Sequence, residues 1–127
     1  MRVFLGGTCS GYNWRNDLIK MIKCDYYNPI VKNWSEADRL REVHERETDD
    51  IALYVITSGL KGVYSIAEVV DDSNKRPEKV VFCILEDGFD DQMKHSLQAV
   101  KNLVRGNGAK VFDNLLEVAT YINSKCK

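Results

Sequence analysis

The chain has 127 residues, 44% of them hydrophobic and 29% charged, with a formal net charge of -1 at pH 7. That is enough for one domain with its own core, and it excludes a disordered chain or one built of membrane spans. With no polybasic block, a nucleic-acid polymer is not an expected ligand, whereas a single nucleotide is compatible with the charge. The opening MRVFLGG has too short an apolar run for a signal peptide, so a cytoplasmic location is the expectation.

Arg2 to Leu5 is a short apolar run that stops at Gly6-Gly7, which predicts a central strand running into a tight loop, GGTCSGYN. Asn13 is placed to cap a helix from Trp14 to Lys23, whose Trp14, Leu18, Met21 and Ile22 recur at helical spacing. Asp25 to Val31 reads as a second strand, short or at an edge because Pro29 interrupts it. Ser35, with Asp38 three residues on, reads as the N-cap of a helix from Glu36 to Glu47. That helix has a thin apolar stripe (Ala37, Leu40, Val43), and its charges read as a solvated face. Ile51 to Thr57 is nearly all apolar and branched, as in a strand covered on both faces.

After the loop Ser58 to Gly62 comes a helix expected to turn Val63, Ile66, Ala67 and Val70 inward and to end before Pro77. Lys79 to Leu85 is a second buried-type strand, followed by the acidic turn EDGFDD. Asp91 is read as the cap of a helix from Gln92 to Arg105, with Met93, Leu97, Val100, Leu103 and Val104 inward. Ala109 to Phe112 and Asn114 to Ser124 close the chain as a strand and a helix. Strand and helix thus alternate five times, which predicts a parallel sheet with helices on both faces. The most apolar strands belong in the middle, so the expected fold is α/β, a flavodoxin-like doubly wound five-stranded parallel sheet of order 2-1-3-4-5.

In that topology the loops after strands one, three and four share the carboxyl edge of the sheet, where open α/β folds bind ligands. Gly6 and Gly7 leave room for a ligand near the backbone, unless the loop is a plain tight turn. Thr8, Ser10 and the first amides of the helix could hold a phosphate or sugar hydroxyls, and Arg15 could add a charge-assisted contact. Glu68 is read as an attacking carboxylate; the competing structural role is a capping box with Ser65. Asp50 either serves the site or simply flanks its strand. Tyr12 and Tyr64 are candidates to hold a carboxylate in position. The four cysteines (Cys9, Cys24, Cys83, Cys126) and two histidines (His44, His95) form no zinc pattern, and neither metal nor cofactor is expected. Cys24 and Cys83 fall on predicted strands and read as core residues, Cys126 as part of a fraying terminus. Cys9, in the site loop, would need a histidine or a helix terminus to act as a nucleophile.

The segments VFLGGTC with YNWR, then TDDIALYVIT, then GVYSIAEVV resemble the nucleoside 2-deoxyribosyltransferase family, in particular its short deoxyribosyltransferase-like branch. The similarity runs from the first strand to the fourth. It implies a flavodoxin-like fold and a transferase or hydrolase acting on the N-glycosidic bond of a 2′-deoxynucleoside or its 5′-monophosphate, in nucleotide salvage. It implies Glu68 as nucleophile, Asp50 as the aspartate contacting the base, and Gly6 and Gly7 beneath the sugar. It also implies a homo-oligomer, since the family often completes its site from a neighbouring subunit. Phe4 stands where many members have a tyrosine, and Ser58 to Ser65 holds no acid where a second aspartate is usual. A non-catalytic nucleotide-binding module on the same fold, or a bare interaction subunit, are the alternatives.

Overall fold

A computed structural model describes residues 1–126. The elements are β1 (Arg2–Gly7), α1 (Trp14–Ile19), β2 (Asp25–Tyr27), α2 (Glu36–Thr48), β3 (Ile51–Ile56), α3 (Tyr64–Lys75), a 3-10 turn (Pro77–Lys79), β4 (Val80–Ile84), α4 (Asp91–Gly106), β5 (Lys110–Phe112) and α5 (Leu115–Lys125). All neighbouring strands are parallel, in the order β2-β1-β3-β4-β5. This is the expected doubly wound sheet.

Every residue of β3 and β4 is buried, which is why their sequences lack polar alternation: both faces are covered. Successive side chains feed two separate cores. Val3, Leu5, Leu53, Val55, Val81 and Cys83 point to one side, where α1 brings Trp14 and Leu18 and α5 brings Val118 and Ile122. Phe4, Ala52, Tyr54, Ile56, Phe82 and Ile84 point to the other, against Val69 of α3 and Leu97 and Val104 of α4. Helix α2 is different. Its only buried residues are Glu45 and Arg46, so charged groups rather than an apolar stripe anchor it. The Ser35–Asp38 capping box forms as read.

Several boundaries and faces differ from expectation. Helix α1 ends at Ile19, and β2 shrinks to three residues before Pro29. Asp90, not Asp91, caps α4, and Met93 and Leu103 lie on its exposed side. In α3, Val63 and Ala67 face out, while Glu68, Val69, Asp72 and Ser73 are buried. Three of these four buried residues of α3 are polar, so an apolar-periodicity reading misses its register. Cys24 and Cys126 form a disulfide rather than a core residue and a loose end, with Cα atoms 5.8 Å apart. Cys83 is buried as expected, and its thiol is pushed up to about 12 by burial. Among the described residues, no helix is long and apolar enough to cross a membrane.

Candidate functional site

The carboxyl ends of β1 and β3 meet at a glycine pair with two distinct steric reasons. A side chain on Gly6 would lie 2.7 Å from the Phe4 ring and 2.8 Å from Tyr54. Gly7 has φ +121°, and a Cβ there would lie 2.0 Å from the Val55 carbonyl oxygen. Both glycines are therefore required by packing of β1 on β3, independently of any ligand. They nevertheless floor a cavity of about 410 Å³, within the range of small-molecule sites. Its walls include Arg15 from α1, Pro29 to Val31 and Trp34 from the β2–α2 connection, Glu42 from α2, and Tyr64 and Glu68 from α3.

Glu68 is the fifth residue of α3, whose N-cap is Val63 with no side-chain bond. The capping box with Ser65 does not form, because the helix starts one residue before Ser65 rather than after it. The Glu68 side chain is only 6% exposed and lines the cavity. Its Oε2 lies 3.4 Å from Nη1 of Arg46. Burial drives the Glu68 carboxyl up to about 8; Arg46 opposes this, and the neighbouring carboxyls of Glu42 and Asp72 reinforce it. Glu42 lines the same cavity and, as a neighbouring carboxyl, helps to keep the proton on Glu68. Glu68, expected to be ionised, is thus a carboxyl that burial keeps protonated up to about 8.

Arg46 is the hub beneath these two carboxyls. Its Nη2 donates to Asp72 Oδ1 at 3.0 Å, and its Nε donates to Tyr54 Oη at 3.0 Å and to Asp72 Oδ2 at 3.2 Å. Tyr54 in turn donates to Asp72, which also accepts from Arg76. Burial disfavours charge on Arg46, yet Tyr54, Asp72 and Glu68 more than offset it and hold the guanidinium above its ordinary range. Burial, then the Asp72 charge, push the Tyr54 phenol well up, so it remains a donor.

The other sequence candidates divide. Tyr64, 70% exposed, stands at the rim and lines the cavity together with Trp34. Arg15 lines it too, but its donors are engaged: Nε to Leu5 O at 2.9 Å, Nη1 to Thr8 O at 2.7 Å and Nη2 to Gly7 O at 3.2 Å. Its first role is to shape the glycine loop, and burial pulls its pKa down. Thr8 Oγ1 accepts the Thr57 amide at 3.0 Å and Ser10 Oγ donates to Gly59 O at 2.7 Å, so both hydroxyls pin the two loops together. They border a second hollow of about 200 Å³ beside Lys61 and Ser65, which shares Gly7, Cys9 and Tyr64 with the first. Tyr12 is 53% exposed, bonds to Asp17, and lies outside both hollows.

Asp50 requires correction. It precedes β3, and its Oδ2 accepts the Arg2 amide at 2.9 Å, at the amino edge of the sheet. The site lies at the carboxyl edge, a full strand of six residues away, or about 20 Å at ~3.3 Å per residue. A residue opening a parallel strand cannot serve the edge where that strand ends.

Glu42, Arg46, Trp34 and the Tyr54–Asp72 pair were not singled out from sequence. One signal was present: Glu42 and Arg46 are four apart on α2 and so share a face. It was hidden in a charge run whose other members are solvated. Among the described residues, no group of three or more His, Cys, Asp or Glu could hold a metal ion. Compared with protein-family models and with curated proteins, the chain finds a match in neither.

Proposed function

We propose that the protein cleaves or exchanges the N-glycosidic bond of a 2′-deoxynucleoside or its 5′-monophosphate. The observation that carries this reading is the nearly buried Glu68 carboxyl beside the half-buried Glu42, both lining one cavity of about 410 Å³. Glycoside chemistry of the retaining type needs two carboxyl groups in opposite protonation states. The ionised oxygen of Glu68 attacks C1′ as the C1′–N bond breaks, forming a glycosyl ester. The proton that Glu68 gives up passes to the departing base, through Glu42 or a water. A second base, or water, then attacks C1′ and releases the Glu68 carboxylate. Arg46, at 3.4 Å, stabilises that carboxylate between turnovers. Glu42 stands at the edge of the sheet that Asp50, expected to contact the base, does not reach. Trp34 and Tyr64 flank the opening as flat surfaces for a base. The ligand is a small molecule rather than a nucleic-acid polymer, and a homo-oligomer belongs to the same reading.

The test is incubation with the four deoxynucleosides and their monophosphates, followed by chromatography for free or exchanged base. Release by the wild type and its loss in Glu68→Gln are the expected results. No release from any of them by folded protein overturns the proposal.

A second reading, a nucleotide-binding module without turnover, is favoured by Phe4 standing where the family that the chain resembles has a tyrosine, and by the lack of any acid from Ser58 to Ser65. It predicts ligand-dependent thermal shifts that Glu68→Gln leaves intact and no release of base.

A further inference from the structure

We propose that Asp72, which does not reach the cavity, is a positioning residue for the site: by clamping Arg46 it leaves Glu68 with a single long contact and hence available to a ligand. The inference rests on the reading of Glu68 as the reacting group and adds to it the device that tunes that group.

The geometry is asymmetric. Asp72 is 0% exposed and takes two nitrogens of Arg46, Nη2 at 3.0 Å and Nε at 3.2 Å. Glu68 receives only Nη1, at 3.4 Å, an ion pair too long for a strong charge-assisted bond. Tyr54 locks the arrangement from the sheet, accepting from the same Nε and donating to the same Asp72 carboxylate. Arg76 satisfies Asp72 from the next turn of the helix. The fork of a guanidinium fits one carboxylate at a time, and here Asp72 has it. Were Arg46 to turn its fork to Glu68, the carboxylate would be tied into a saturated pair and lose both its basicity and its nucleophilicity.

The charges facing Glu68 come from three helices and the sheet. Glu42 and Arg46 approach from α2, with Arg39 further along the same groove. Asp72 belongs to its own helix, with Asp71 at 3.6 Å from Arg46. Arg15 comes from α1, Tyr54 from β3 and Tyr64 from the rim, and Cys9 lies in the glycine loop. Of these, Asp72 alone makes a two-nitrogen grip on the cation that touches Glu68.

The test is carboxyl ¹³C NMR titration of Glu68 in the intact chain, the signal assigned by its loss in Glu68→Gln. Asp72→Asn frees the fork, and the Glu68 midpoint is expected to fall by a unit or more. Asp71→Asn removes a charge on the same helix whose contact with Arg46 is a single pair at 3.6 Å, and serves as control. A fall at least 0.5 unit larger in Asp72→Asn than in Asp71→Asn supports the proposal, and a smaller difference overturns it. Should Asp72→Asn not fold, exchange of the Arg46 Nε–H in the wild type decides. Protection on both sides of the Glu68 midpoint supports a fixed clamp. Protection that disappears when Glu68 ionises means that Arg46 follows Glu68, and overturns it. Neither readout needs turnover, so a chain that releases no base sinks the proposed function while leaving the clamp to be judged alone.

Discussion

Glu68 sits where a carboxyl is costly. Its pKa is raised from 4.5 to about 8, so the folded state binds its proton more tightly than the unfolded chain does. The stability associated with that proton is complete below the unfolded value and is lost as pH rises toward about 8. Glu68→Gln is therefore expected to abolish base release while raising the thermal midpoint at pH 8–9, with a gain on the order of 1–2 kcal/mol. A combined activity and melting measurement checks both. Loss of the Glu68 proton, which goes to the departing base, also places a falling limb of kcat/KM near pH 8, and Glu42→Gln is expected to reduce the rate by about 10²–10⁴-fold. Asp49 shows the same sign at the opposite edge. Burial and the Glu45 charge raise it from 3.8 to about 6, with Arg2 opposing. Asp49→Asn is expected to stabilise the fold above pH 6 and to do little below pH 4, as read by denaturation at the two pH values. That the helix carrying Glu68 follows β3 at the carboxyl edge was legible; that its side chain turns inward was not, since a capping box with Ser65 reads equally well from the spacing. The role given to Asp50 came from the resemblance, although its place before β3 puts it at the amino edge.

At the scale of elements, β3 and β4 were readable because unbroken branched runs of that length suit strands buried on both faces. The register of α3 was not, because two of its four buried residues, Glu68 and Asp72, are acids held by Arg46 from another helix. No pattern within twelve residues announces a partner supplied from α2. The same limit hid Glu42, whose function depends on where α2 docks. The glycine loop illustrates the converse: its sequence was noticed for a ligand, and its packing explains it first. Gly7→Ala is expected to cost about 3 kcal/mol or more, because the new methyl meets the Val55 carbonyl at 2.0 Å in a backbone region that L residues avoid. Urea denaturation measures the loss, and an unchanged midpoint would contradict the close approach of the strands.

The whole molecule is stapled across its length. Cys24 and Cys126 join the segment before β2 to the end of α5, a sequence separation of 102. Closing so long a loop restricts the unfolded chain, with an upper stabilisation of about 4.7 kcal/mol on chain-entropy grounds. Reduction with dithiothreitol, or Cys126→Ser, is expected to lower the thermal midpoint without altering base release, since neither cysteine lines the cavity and α1 reaches it only through Arg15. The pairing had no sequence signature: neither cysteine has a spaced neighbour, and only the packing of α5 beside α1 brings them together.

Helix α2 docks through ions: Arg2 with Glu45 on one side, Arg46 with Asp72 on the other, while Leu40 and Val43 face solvent. Hydrophobic layers tolerate brine; exposed charge contacts such as that of Arg2 weaken in it. Deuterium uptake is therefore expected to quicken along residues 36–48 as sodium chloride rises, with β3 and β4 unaffected. The Arg2 side of this wall would then loosen while the buried Arg46–Asp72 grip, little screened, keeps Glu42 beside the hollow, so that ionic strength frays the helix before it opens the site.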